Sequence, residues 1–212
     1  MEENCIFFDT HGELTHGDIL SILTLCEDHF PGPTHAYITQ FKKVLEIPVT
    51  SYLDKSVLKK FNRNKYGIEY SAGYENPGIR ITKTDGRGLI SIPLKKGDEY
   101  HMTKNIALQL VNRLELKSLG VSPVNFVLFK RKYKENRRTT DFPGLYWLQY
   151  YDAEEFKKQG GNAILDNPYI NAQLIKDGIF IEVGHSPYDF QTPEGEVLMI
   201  NANAAMPPIV RN

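Results

Sequence analysis

Three runs rich in β-branched and aromatic residues lie close together between residues 67 and 94. They are GIEYSAG from Gly67, GIRITKTDG from Gly78 and LISIPL from Leu89, and Gly, Pro and Asp-Gly separate them. Such side chains favour strands, while the residues between the runs favour turns. The spacing therefore predicts an antiparallel meander in this part of the chain.

Helical patterns lie on both sides of the meander. From Thr15 to Phe30 apolar residues cover a broad helical face, and Pro31-Gly32-Pro33 ends that helix. Three further helices are predicted at Ser51–Asn62, with Ser51 and Asp54 as a capping box, at Thr103–Leu119, with Gly120 as the stop, and at Ala153–Gln159.

The remaining strand signals interleave with these helices. They comprise residues 4–9, VNFVLFK at 124–130, and a hairpin of 172–176 with 179–183 around Asp177-Gly178; a short turn is expected around Trp147. Regular βαβ units are missing, so the pattern predicts the α+β class. We expect one domain over residues 1–212, with an antiparallel or mixed sheet packed against several helices.

The bulk properties are those of an ordinary globular chain. The 212 residues carry a formal net charge of −1, which provides no global field for nucleic acid or for an anionic membrane. Two cysteines, Cys5 and Cys26, are too few for a disulfide scaffold and indicate a reducing compartment. With no apolar run of about 18 residues and no signal peptide pattern, we expect a cytoplasmic protein without a membrane partner.

The sequence contains no recognisable catalytic or metal-binding motif. The six histidines form no HExxH, and paired CxxC, nucleophile-elbow and phosphate-loop patterns are absent. Cys5 and Cys26 lie in apolar surroundings, which favour inert thiols. We therefore predict no metal, no cofactor and no enzymatic activity.

Two short Glu-x-Lys triplets are the only hint of a metal-dependent nuclease. They are Glu115-Leu116-Lys117 and Glu155-Phe156-Lys157, and both fall on predicted helices. Residues two apart on a helix face different directions, so neither triplet is expected to form a metal pocket. An enzyme with an unrecognised carboxylate site remains an alternative.

Charge is uneven along the chain. Residues 130–138, KRKYKENRR, carry six basic side chains against one acid, which makes a nucleic-acid-binding adaptor a second alternative. A solvated loop is the commoner meaning of such a run. From Thr139 to Asn212, ten acids stand against four bases, a net charge of −6 that suits a basic protein partner.

The last third of the chain carries a family resemblance. Its blocks are DFPGLYWLQYYD from Asp141, LIKDGIFIEVGHSPYDF from Leu174 and INANAAMPPI from Ile200. In this order they resemble the closing pattern of immunity proteins of bacterial type VI and polymorphic toxin systems, including the immunity protein 52 group. The residues that match the motif are Gly144, Trp147, Leu148, Gly178, Ile179 and Ile181, and we expect them to determine the fold, with Trp147 in the core.

The resemblance implies a protein of bacterial competition that binds and neutralises a co-encoded toxin. For the immunity protein 52 group it implies a toxin of the restriction-endonuclease-like nuclease type. A nuclease groove is basic, so we expect acidic and aromatic residues to form the contact. The predicted toxin-binding residues each lie at a predicted loop or strand edge. They are Tyr74, Glu75, Asp98, Glu99, Tyr100, Tyr188 and Asp189.

Overall fold

A computed structural model describes residues 3–40, 43–63, 67–71, 78–93, 99–123, 145–186, 189 and 192–207. The chain divides into two compact units, Glu3–Leu116 and Lys117–Asn212. Strands and helices occur in both, and every described strand pairing is antiparallel. The predicted α+β class is confirmed, whereas the single domain stays a prediction.

In its described residues, the first unit holds six strands and three helices. Its sheet follows the order β3-β2-β4-β5-β6-β1, in which the predicted meander forms β4, β5 and β6. The strands and helices are β1 (Glu3–Thr10), α1 (His16–His29), β2 (His35–Gln40), β3 (Lys43–Pro48), α2 (Lys55–Arg63), β4 (Gly67–Ser71), β5 (Gly78–Thr82), β6 (Arg87–Pro93) and α3 (Glu99–Arg113).

One face of this sheet forms the core of the first unit. Because alternate residues of a strand point to opposite faces, the pairing register produces rows of buried side chains across the sheet. The helices contribute the other side of the core, and α3 contacts both α1 and β1, while α2 contacts β2. The buried rows are Ile38, Ile68, Ile81, Gly88 and Phe8, and Ala36, Tyr70, Ile79, Ile90 and Ile6. On β3 they continue into Leu45, which is 47% exposed, and the half-buried Ile47.

Helix α1 begins where the sequence predicts. The Thr15 hydroxyl accepts a hydrogen bond from the Asp18 amide at 3.1 Å, and the Asp18 carboxylate accepts one from the Thr15 amide at 2.8 Å. This reciprocal capping box satisfies two amides that a helix start leaves without partners. Cys26, on the inner side of α1, is fully buried, as expected.

Helix α2 begins later than predicted. Ser51 is not its cap, because the Ser51 hydroxyl accepts a hydrogen bond from the Leu53 amide in a local turn. The Asp54 carboxylate instead accepts from the amides of Ser56 and Val57, at 2.8 and 3.1 Å. The helix therefore runs from Lys55 to Arg63.

The predicted helix Thr103–Leu119 is wrong at both ends. Helix α3 starts at Glu99, so Thr103 lies buried inside it, and the helix ends at Arg113. Leu116–Pro123 forms strand β7. Leu116 and Leu119 are spaced as a helix would place them, yet the sheet buries both, because β7 pairs with a strand that is distant in sequence.

The described part of the second unit holds four strands in the order β7-β8-β10-β9. The hairpin predicted around Asp177-Gly178 is confirmed as β9 and β10. The strands and helices after β7 are β8 (Leu148–Tyr151), α4 (Ala153–Lys158), a 3-10 helix (Gly161–Asp166), β9 (Asn171–Ile175), β10 (Gly178–Glu182) and α5 (Pro193–Ala204). The predicted strand at 124–130 lies outside the described residues.

Trp147 lies at a bend that leads directly into a strand, so the turn expected around it is followed at once by β8. β8 is buried over its full length and pairs with both β7 and β10. A strand buried on both faces lacks the alternation that marks a half-exposed strand, which explains why LQYY shows no strand pattern.

Helix α5, which the sequence reading did not predict, is tied to the rest of the second unit by buried amide side chains. Asn203 accepts a hydrogen bond from the Leu145 amide at 2.9 Å and donates one to the Met199 carbonyl at 2.8 Å. Asn167 donates to the Ala202 carbonyl at 2.9 Å. The Leu145 bond holds α5 against the segment that enters β8, and the Asn167 bond holds it against the end of the 3-10 helix.

Candidate functional site

The second face of the first unit's sheet is not part of the core, and we call it the open face. It carries half-buried and exposed side chains at the positions that alternate with the core rows. The two rows of the open face are Glu46, Tyr37, Glu69, Arg80, Leu89 and Phe7, and Val44, Thr39, Gly67, Thr82, Arg87 and Asp9.

An aromatic and acidic cluster lies where β2 meets β3. The Tyr37 hydroxyl donates a hydrogen bond to the Glu46 carboxylate at 3.3 Å, and the His35 imidazole lies 3.7 Å from the same oxygen. Partial burial raises the pKa of Tyr37, and the carboxylates of Glu46 and Glu69 raise it further. The phenol therefore stays protonated at neutral pH and can donate its hydrogen bond.

An ion pair occupies the middle of the open face. Arg80 directs two guanidinium nitrogens to one carboxylate oxygen of Glu69, at 3.0 and 2.9 Å. Beside it, Gly67 lies between Thr39 and Thr82 and leaves a hollow of about 290 Å³. Asp85 lines the hollow as well and adds an exposed carboxylate.

This arrangement suits binding to another macromolecule. Arg80 is paired with Glu69, and Arg87 is paired with Asp9 at 2.9 Å, so the two arginines are neutralised within the face. Glu46 and Asp85 leave the face slightly acidic. Tyrosine is a frequent anchor at protein interfaces, and exposed carboxylates complement positive charge on a partner.

Four of the seven predicted toxin-binding residues, Tyr74, Glu75, Asp98 and Tyr188, lie outside the described residues. Glu99 and Tyr100 were expected at a loop or strand edge, and this is wrong, because both lie in the first turn of α3. The Tyr100 ring packs against the His101 ring with centroids 3.9 Å apart.

Asp189, the seventh, organises the loop that follows β10. Its carboxylate accepts hydrogen bonds from the His185 amide at 2.6 Å and the Ser186 amide at 3.0 Å, and the Ser186 hydroxyl lies 3.1 Å away. Asp189 belongs to the second unit, whereas Glu99 and Tyr100 belong to the first. Its role in toxin binding stays a prediction.

The residues of the family motif hold positions in the second unit's sheet. Trp147, Leu148, Ile179 and Ile181 are fully buried, while Gly144 lies outside the described residues. The hairpin turn does not require glycine at position 178, because the turn residue with a left-handed backbone is Lys176, with φ of 53°. A Cβ on Gly178 would collide with the Tyr151 carbonyl oxygen, so glycine permits the close pairing of β10 with β8.

Reactive groups in the described part of the chain are few. Burial raises the pKa of the Cys26 thiol far above its ordinary value, so it remains protonated. Among the described side chains, no group of three or more His, Cys, Asp or Glu residues is placed to hold a metal ion. The basic run 130–138 lies outside the described residues.

The Glu-x-Lys triplets differ from the expectation in one case. Glu155 and Lys157 lie on α4 as predicted. Lys117 lies on strand β7 and Glu115 directly precedes that strand, so the argument from helical geometry does not hold for this triplet. Both side chains are exposed.

The open face was missed because the hairpin of β2 and β3 was not predicted. A signal exists in HAYITQ, in which the buried Ala36 and Ile38 alternate with His35, Tyr37 and Thr39. This is the alternation of a strand with one buried face. The Pro-Gly-Pro sequence before this segment indicates the end of α1 and carries no signal for the strand that follows.

Comparisons with known proteins give one informative likeness. No family model matches this chain, and no curated protein matches it. Among solved structures, the chain is similar to the Pseudomonas aeruginosa T6SS protein PA0821, with a TM-score of 0.58 and 14% sequence identity. The likeness covers 97% of this chain and 72% of that one, and at this identity it concerns the fold. Within the described ranges, no helix has both the length and the apolar character to cross a bilayer.

Proposed function

We propose that this protein is an immunity protein of a bacterial type VI secretion system, which binds a cognate toxin and blocks it by direct contact. The observation that carries the proposal is the fold likeness to a T6SS protein over nearly the whole chain. The resemblance of residues 141–209 to immunity proteins, found independently in the sequence, points to the same biological setting. The protein acts as a binder in the cytoplasm and not as an enzyme.

We assign the toxin contact to the open face and its β3 edge. Tyr37 offers an apolar ring and a hydroxyl, and Glu46 offers a carboxylate that is about half exposed. Interface affinity concentrates in a few aromatic and charged anchors, and charge complementarity accelerates encounter. A toxin of the nuclease type has a basic groove for phosphate, which matches this chemistry.

The experiment pairs the protein with the toxin encoded beside its gene. Cells that express the toxin alone should stop growing, and co-expression of this protein should restore growth. The purified proteins should elute as one complex from size exclusion, and the toxin's activity should fall in proportion to the complex formed. Survival without a complex, or a complex that leaves the toxin active, would refute inhibition by direct contact.

A further inference from the structure

Strand β9 forms an exposed edge of the second unit's sheet. It pairs with β10 and with no other described strand. Leu174 is 60% exposed, and the side chains of Asn171 and Gln173 are exposed as well. An edge of this kind offers backbone groups to any further strand that approaches it.

The register determines which backbone groups face outward. Lys176 and Asp177 form a two-residue turn, and Ile175 pairs with Gly178 to close it. In such a hairpin the closing pair exchanges both hydrogen bonds, and bonded and non-bonded pairs then alternate. The amides and carbonyls of Ala172 and Leu174 therefore point away from β10.

The residue types along β9 indicate what can pair with it. Natural edge strands are protected by charges and prolines, and β3, at the edge of the first unit's sheet, contains Lys43, Glu46 and Pro48. β9 is Asn-Ala-Gln-Leu-Ile and contains neither a charge nor a proline. A charged strand would find no counter-charge on it, whereas a second copy of β9 brings no like-charge repulsion.

We propose that two copies of this chain associate through antiparallel pairing of their β9 strands, with Gln173 opposite Gln173. In this register Ala172 of each copy faces Leu174 of the other, so all the outward backbone groups of these residues find partners. The two Gln173 residues form the central non-bonded pair, where side chains approach most closely. Each Gln173 side-chain amide can then donate a hydrogen bond to the other and accept one from it. Leu174 of each copy lies beside Ala172 of the other and covers the apolar face there.

The size of the contact determines its strength. Five residues from each copy bury less than the roughly 1,000 Å² of a stable specific interface. The dimer is therefore weak and depends on protein concentration. The pairing is independent of the toxin proposal, because it uses only the β9 edge.

Sedimentation equilibrium from micromolar to millimolar concentration tests the pairing. The 24.3 kDa chain should shift reversibly from monomer to dimer as its concentration rises. Gln173→Lys and Gln173→Glu should each raise the dimer Kd about fivefold, because each places like charges directly opposite one another. An equimolar mixture of the two variants should dimerise at least as tightly as the unmodified chain.

The matched control is Val44→Lys, which adds a charge at an exposed apolar position of β3. This variant should dimerise like the unmodified chain. A chain that stays monomeric over the whole range would overturn the proposal. So would a mixture of the two Gln173 variants that binds no more tightly than either variant alone, or a dimer that Val44→Lys weakens as much as they do.

Discussion

Trp147 and Gly178 stabilise the same sheet by opposite means. Trp147 fills space in the second unit and is fully buried. Gly178 leaves space, because any side chain there would meet the Tyr151 backbone. Both residues belong to the motif that resembles immunity proteins, and their positions here reflect packing requirements of the fold. The motif does not identify the residues that contact a partner.

Replacing Trp147 with Ala should lower the free energy of unfolding by roughly 3–5 kcal/mol, the range for deleting a large buried aromatic side chain. Denaturant titration followed by circular dichroism measures this loss. Trp147→Phe is the matched control: the indole N–H has no acceptor among the described groups, so the change removes volume but breaks no hydrogen bond there. Trp147→Phe should lower the free energy of unfolding by much less than Trp147→Ala. A stable Trp147→Ala protein that no longer binds the toxin would assign Trp147 to the interface instead.

At the scale of elements, the sequence predicted those that carry a local signature. Helix α1 has a capping box and a Pro-Gly-Pro end, and the β9–β10 hairpin has a two-residue turn with glycine directly after it. β8 and β7 gain their stability from pairing with distant strands, and no local pattern reports such pairing. The open face was missed together with β2 and β3, since no site can be predicted on strands that were not recognised.

Helix α5 was missed although it has a clear start. The Thr192 hydroxyl caps the Gly195 amide at 3.1 Å, and Pro193 occupies the first turn. Both are typical of a helix N-terminus. The Asn-Ala-rich sequence that follows lacks a strong apolar stripe, because the helix is anchored by the amide side chain of Asn203 as well as by apolar contacts.

Asn203→Ala should therefore cost about 1–3 kcal/mol of unfolding free energy, because it leaves the buried Leu145 amide without its acceptor. Asn201→Ala, two residues earlier on the same helix, should change stability by less than about 0.5 kcal/mol. Chemical denaturation of both variants compares them directly. Equal changes in the two variants would mean that the Asn203 hydrogen bond does not determine the stability of α5.

At the scale of the whole molecule, the net charge is too small to attract a partner of either sign. The formal charge of −1 is the balance of 25 basic and 26 acidic residues, so association cannot rely on a global field. Under the proposed function, recognition of a basic toxin would then depend on where individual carboxylates lie. On the open face, the ion pairs of Arg80 and Arg87 neutralise two acids and leave Glu46 as the exposed acid beside Tyr37.

Glu46→Lys should slow association with the cognate toxin by roughly threefold to tenfold at low ionic strength, because it replaces attraction by repulsion at the contact. Stopped-flow association rates measured over a salt series test this. The difference from the unmodified protein should shrink as salt rises, since screening shortens the reach of charge to about 3 Å at 1 M. Asp28→Lys, which makes the same charge change at an exposed position of α1, should have little effect on the association rate.

If both charge reversals slow association equally, the toxin responds to total charge. If only changes within Lys130–Arg138 alter the rate, the partner is acidic and the open face is not its binding surface.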